Sequence, residues 1–91
     1  MEFSLVFLHM LMSKKNFKNK IDWFIINQVR QMRLDRGLSQ DDVALHLNLS
    51  KGYIGHIESP NFIAKYNNGH LNELAKLFKC SPKDFMPDKP L

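Results

Sequence analysis

A single cysteine, Cys80, excludes an internal disulfide and any cysteine-based zinc site. It has no local catalytic signature and reads as a packing residue near a helix end in a protein of a reducing compartment. The four histidines, His9, His46, His56 and His70, show no spacing with carboxylates or with Cys80 that builds a metal cage or a triad. A glycine-rich phosphate loop is also missing. No enzyme activity, metal or cofactor is therefore expected. No apolar run approaches the roughly 20 residues that span a bilayer. The opening MEFSLVFLHMLM is apolar but has Glu2 as its only charge before Lys14 and no small-residue cleavage site after it. It reads as neither signal peptide nor span. These first ten or so residues are expected to come from an upstream start or from cloning, or, if native, to form a hydrophobic dimer contact. A cytoplasmic location follows.

What is present suits one small domain. The 91 residues are 44% hydrophobic and 24% charged, enough for a compact bundle of four or five short helices. The net charge of +4 favours an anionic partner only mildly. Its distribution is more informative: Lys14, Lys15, Lys18, Lys20, Arg30, Arg33 and Arg36 face only Asp22 and Asp35 between Ser13 and Arg36. Such a run fits a nucleic-acid contact or a solvated, lysine-rich lead-in to a helix.

Along the chain, Ile21, Ile25, Val29 and Met32 recur at helical spacing, with Ile26 widening the stripe and Trp23 and Phe24 beside it. This predicts a helix from about Lys20 to Arg36, closed by Gly37 at a position open to positive φ. Ser39 caps the next helix, whose first turn carries Asp41 and Asp42 and whose inward face is Val43, Ala44 and Leu47. Asn48-Leu49-Ser50 makes a tight break, since Asn tolerates the left-handed conformation. Ser50 then caps Lys51–Glu58, with Ile54 and Ile57 inward. Two short helices joined by about three residues are the helix-turn-helix arrangement. A breaker-rich connection follows, then a helix from about His70 with Leu71, Leu74, Ala75 and Phe78 inward. Ser81-Pro82-Lys83-Asp84 opens a last short turn carrying Phe85. The expected division is an extension over residues 1–19, a domain over 20–86 and a tail over 87–91.

The stretch SQDDVALHLNLSKGYIGHIE resembles the lambda-repressor-like (Cro-repressor type) helix-turn-helix family. The resemblance rests on Ser39-Gln40, Val43-Ala44, Asn48-Leu49-Ser50, Ile54 and Ile57-Glu58, with Arg33 ahead and Leu71, Leu74 and Ala75 after. It covers about Ile21 to Phe85. It departs in having Asn48 where the family commonly has glycine, and Gly52 and Gly55 inside the second helix. Those glycines allow either close approach to DNA or a tolerated weak spot. The resemblance implies an all-α fold whose second helix enters the major groove of double-stranded DNA. The outward residues are then Lys51, Gly52, Tyr53 and His56. Lys51 would reach guanine or phosphate, Tyr53 a phosphate or a thymine methyl, and His56 either. Ser50 caps first and donates to phosphate second. Gln40, at a helix start whose free amides attract phosphate, is implied to touch the DNA backbone and brace the second helix. Arg33 and Glu58 are implied to pair as a structural salt bridge. The function expected is a sequence-specific transcriptional regulator acting as a homodimer. The alternatives are an antitoxin with a toxin partner, and a protein-interaction module that keeps the fold without binding DNA.

Overall fold

The computed structural model describes residues 18–91, which form four α-helices and one 3₁₀ turn. They are α1 (Lys20–Asp35), α2 (Gln40–Leu47), α3 (Lys51–Ile57) and α4 (Asn68–Phe78), then the turn Pro82–Phe85. The expectations for the apolar opening segment, His9, Lys14 and Lys15 lie outside the described residues. No helix among the described residues is long and apolar enough to cross a membrane, and none of their His, Cys, Asp and Glu side chains cluster as a metal site would require.

Each helix starts where a short polar side chain takes the first free amides. Ser39 Oγ accepts from the Asp42 amide at 3.0 Å while Asp42 accepts from the Ser39 amide at 2.8 Å. Ser50 caps α3, and Ser81 and Asp84 close a similar box on the 3₁₀ turn. Asn19 and Asp22 form the same reciprocal pair at α1. The start of α4 lies two residues before the expected His70, because Asn67 caps it and the His70 ring accepts back from the Asn67 amide at 3.1 Å. The run of breakers from Ser59 to Gly69 hides that cap in the sequence.

Helix ends follow an equally local logic. Gly37 (φ 67°), Asn48 (φ 59°) and Lys79 (φ 58°) are left-handed. At each, the amide two places past the helix turns back on the last turn, as with Leu49 to the Ala44 carbonyl at 2.8 Å and Cys80 to the Ala75 carbonyl at 2.9 Å. Asn48 gives the α2–α3 turn the conformation that glycine would otherwise supply.

The core comprises Ile26, Val29, Val43, Ala44, Ile54, Ile57, Leu71, Leu74, Ala75, Phe78 and Phe85. Phe85 is fully buried and meets Phe78 edge to face, so the 3₁₀ turn closes the core beneath α1 and α4. On α1 the inward stripe is Ile26, Val29 and Arg33, while Ile21, Ile25 and Met32 are only half-buried. The expected stripe was thus rotated by part of a turn, because an arginine occupies one of the buried positions.

Two further cations close helix C-termini. Lys18 is buried, and its Nζ donates to the carbonyls of His56, Ile57 and Ser59, at 3.0 and 2.6 Å for the first two. Arg36 donates through Nε and Nη2 to the Phe78 carbonyl, the last of α4, at 3.3 and 3.1 Å. Both place positive charge at the negative end of a helix dipole.

Candidate nucleic-acid interface

Helix α3 packs on α2, with Ile54 and Ile57 completely buried. That fixes the opposite face. Lys51, Gly52, Tyr53 and His56 are exposed there, beside the exposed cap Ser50. The Lys51 ammonium lies 3.8 Å from Asp41 on α2, both side chains about two-thirds exposed. A pair this open is worth under about 1 kcal/mol and gives way easily to a stronger anion. Tyr53 is 37% exposed, and its amide is capped by Ser50.

His56 is not a free ring. It stacks on Phe62 from the α3–α4 connection, with centroids 3.8 Å apart and planes within 10°. The stack restricts the imidazole to one plane and extends the outward face with an apolar rim, as Phe62 and Ile63 are both exposed. Phe62 was not singled out in the sequence. It lies in an aperiodic segment after Pro60, where no spacing relates it to α3.

Nothing among the described residues requires the two glycines of α3. Neither has positive φ, and a Cβ built on Gly52 would come no closer to the surrounding protein than the Ser50 hydroxyl at 4.0 Å. On Gly55 the corresponding neighbour is Gln40 Oε1 at 3.9 Å. Alanine would fit at both.

Behind α3, Glu58 joins three helices. Arg33 Nη2 reaches its two carboxylate oxygens at 3.2 and 3.3 Å, Gln40 Nε2 donates to Oε1 at 2.9 Å, and Arg30 stands 3.7 Å away. Arg33 also donates to the Leu38 carbonyl at 3.0 Å. The Arg33 and Glu58 side chains are 7% and 8% exposed. This node ties α1 and α2 to the end of α3. Gln40 therefore has one amide donor turned inward, while its backbone N–H remains at the start of α2. Nearby, the Tyr66 hydroxyl is raised above the usual phenol range, first by burial and then by the Glu58 charge, with Arg33 opposing.

The chain matches the model of a helix-turn-helix domain family over residues 26–88. Among solved structures it is similar to a crystal structure of an HTH_3 family transcriptional regulator from Vibrio cholerae, with 29% identity and a TM-score of 0.59. That match covers 71% of this chain but only 35% of the regulator. No curated protein matches. The family is one of DNA-binding domains rather than enzymes. A buried α3 stripe, a left-handed turn at Asn48 and a family match across most of the described residues lead to one assignment: the chain belongs to the lambda-repressor-like helix-turn-helix family.

Proposed function

We propose that this protein is a sequence-specific regulator of transcription that reads double-stranded DNA with α3 in the major groove, as a cytoplasmic homodimer. One observation carries the reading: the outward face of α3 holds Lys51, Gly52, Tyr53 and His56, all exposed, while the inward face is locked in the core by Ile54 and Ile57. Recognition helices of this kind reach base edges through their N-terminal residues, which here are Lys51 and Gly52. Lys51 supplies a mobile ammonium to guanine or phosphate, and Tyr53 a hydroxyl to the backbone or a ring edge to a thymine methyl. His56, held by Phe62, offers a ring nitrogen in a fixed plane. Ser50 and the start of α2 at Gln40 direct amides towards phosphate. Gly52 lets the helix backbone approach the duplex closely, a role that its open surroundings within the chain leave available. Arg33 and Glu58 serve stability.

Selection of bound sequences from a random duplex pool tests the reading, with binding followed against salt. A recovered consensus whose affinity falls with ionic strength is expected. A folded protein that binds no duplex even at low salt would overturn it. One observation favours a second reading, a protein-interaction module: Phe62 and Ile63 present exposed apolar surface beside α3. In that case folded protein would ignore DNA and Phe62→Ser would abolish partner capture.

A further inference from the structure

Helix α3 is seven residues long and contains two glycines. Helices this short do not persist by themselves, and glycine lowers their stability further. The direction in which α3 points must come from what grips it. Its N-terminus has the Ser50 cap, its flank has Ile54 and Ile57, and the Glu58 carboxylate just past its end is held by Arg33 and Gln40. At its C-terminus the carbonyls of His56, Ile57 and Ser59 converge on one ammonium, Lys18 Nζ. A lysine has three N–H donors, and here each has a carbonyl partner. Lys18 is 4% exposed, and its Nζ lies 4.9 Å from the centroid of the Trp23 ring on α1. The cation is thus held between an aromatic face of one helix and the carbonyl end of another.

Lys18 lies outside the family match, which begins at residue 26, and ahead of the Asn19 cap of α1. We infer that Lys18 is a positioning residue for DNA reading: by gripping the last turn of α3 it sets the angle at which Lys51, Tyr53 and His56 face the bases. This rests on the proposed role of α3 in the major groove. Arg33 and Gln40 hold the Glu58 side chain while Lys18 holds the backbone carbonyls, so loss of Lys18 should loosen the last turn of α3 and shift its angle without changing any side chain that meets DNA. Discrimination between sequences should suffer more than attraction to phosphate, since base contacts need exact placement and phosphate contacts do not.

The experiment uses the full chain with Lys18→Met, which keeps an apolar stem of similar length, and Lys18→Arg, whose planar fork does not match three converging carbonyls. Two quantities are read well below the melting temperature. One is the ratio of affinities for the selected duplex and a scrambled duplex. The other is amide exchange at Glu58 and Ser59, which donate to the Ile54 and His56 carbonyls. In Lys18→Met the ratio should fall by roughly tenfold, about the effect of one mismatched base pair. Binding to the scrambled duplex and its salt slope should not change. Exchange at Glu58 and Ser59 should quicken while Leu74 on α4 stays protected. An unchanged ratio with a lower melting temperature would make Lys18 a stability residue only and overturn the inference. So would equal weakening on both duplexes with a shallower slope, which would make Lys18 a phosphate contact. Should Lys18→Met not fold, Lys18→Arg decides by the same criteria. If the parent protein prefers no duplex, the DNA reading itself fails, an outcome visible before any variant is made.

Discussion

Gly52 separates the demands of folding from those of binding within one residue. Its surroundings would accept a Cβ and its φ is not positive, so Gly52→Ala should stabilise the helix by about 1 kcal/mol. The same methyl group would stand on the face proposed to meet DNA. Thermal melts should therefore rise while affinity for the selected duplex falls, and a variant improved in both would remove the close-approach role. Tyr66 makes a converse case. Its hydroxyl is buried with no hydrogen-bond partner among the described residues, and burial raises its ionisation above the usual phenol range. The folded state holds that proton more tightly than the unfolded chain does. The associated stability is present below the ordinary phenol value of about 10 and is lost as pH rises through and beyond it. Tyr66→Phe should leave neutral-pH stability equal or higher and flatten the alkaline arm of the stability curve. Denaturant melts across that pH range would check both.

At the scale of elements, helix starts obey local chemistry and helix orientations do not. The Asp42 carboxyl is held below the usual carboxylate range, first by the Ser39 amide and then by the Ser39 side chain. Its contribution to the α2 capping box is present above the ordinary carboxylate value and disappears as pH falls through the lowered one. Asp42→Asn should flatten the acid arm of unfolding, and an unchanged arm would count against the box. Caps were legible at Ser39, Ser50 and Ser81, where a serine directly precedes a helical pattern; Asn19 and Asn67 cap over the same three-residue reach but were not legible. The exposure of Lys51, Tyr53 and His56 was legible too, since Ile54 and Ile57 claim the other side. Lys18 and Phe62 were not. Each meets α3 through a tertiary contact without periodic trace, and Lys18 is one lysine among several in its run. The rotated stripe of α1 belongs with them, because a buried arginine interrupts the apolar pattern. Arg33 and Glu58 also set the cost of disturbing the elements. Truncating either one strands a nearly buried opposite charge, and losses of about 3–5 kcal/mol are expected for Arg33→Ala and Glu58→Ala. The double variant should lose less than the two losses added together, as coupled partners do. Melts indistinguishable from the parent would mean that the pair contributes nothing.

For the whole molecule, the position of charge matters more than its total. The basic run that precedes α2 looks in sequence like a footprint for a polyanion, yet much of it faces the protein. Lys18 grips the end of α3, Arg36 the end of α4, and Arg33 the carboxylate of Glu58, with Arg30 close to the same oxygen. Lys18 and Arg33 are buried and Arg36 is committed to the Phe78 carbonyl, so these three add little to phosphate neutralisation, whereas the Arg30 side chain, 56% exposed, stays open to it. Lys51 is open as well, because its only ion-pair partner among the described residues is the exposed Asp41. Each phosphate neutralised contributes roughly −0.9 to the slope of log affinity against log salt. A dimer should therefore show a clear but moderate slope, and tight binding should need two half-sites about 34 Å apart, one helical turn. Two variants locate the charge that matters. Lys51→Ala should reduce the slope by about one unit per monomer if the ammonium meets phosphate, or cost about 1–3 kcal/mol with relaxed preference at one position if it reads a base. Arg36→Ala should lower the melting temperature, because the α4 carbonyl end loses its cation, and leave the slope where it was. If Arg36→Ala flattened the slope as much as Lys51→Ala, the duplex would have to lie along the α1 side of the protein, and α3 would lose its place as the reading helix.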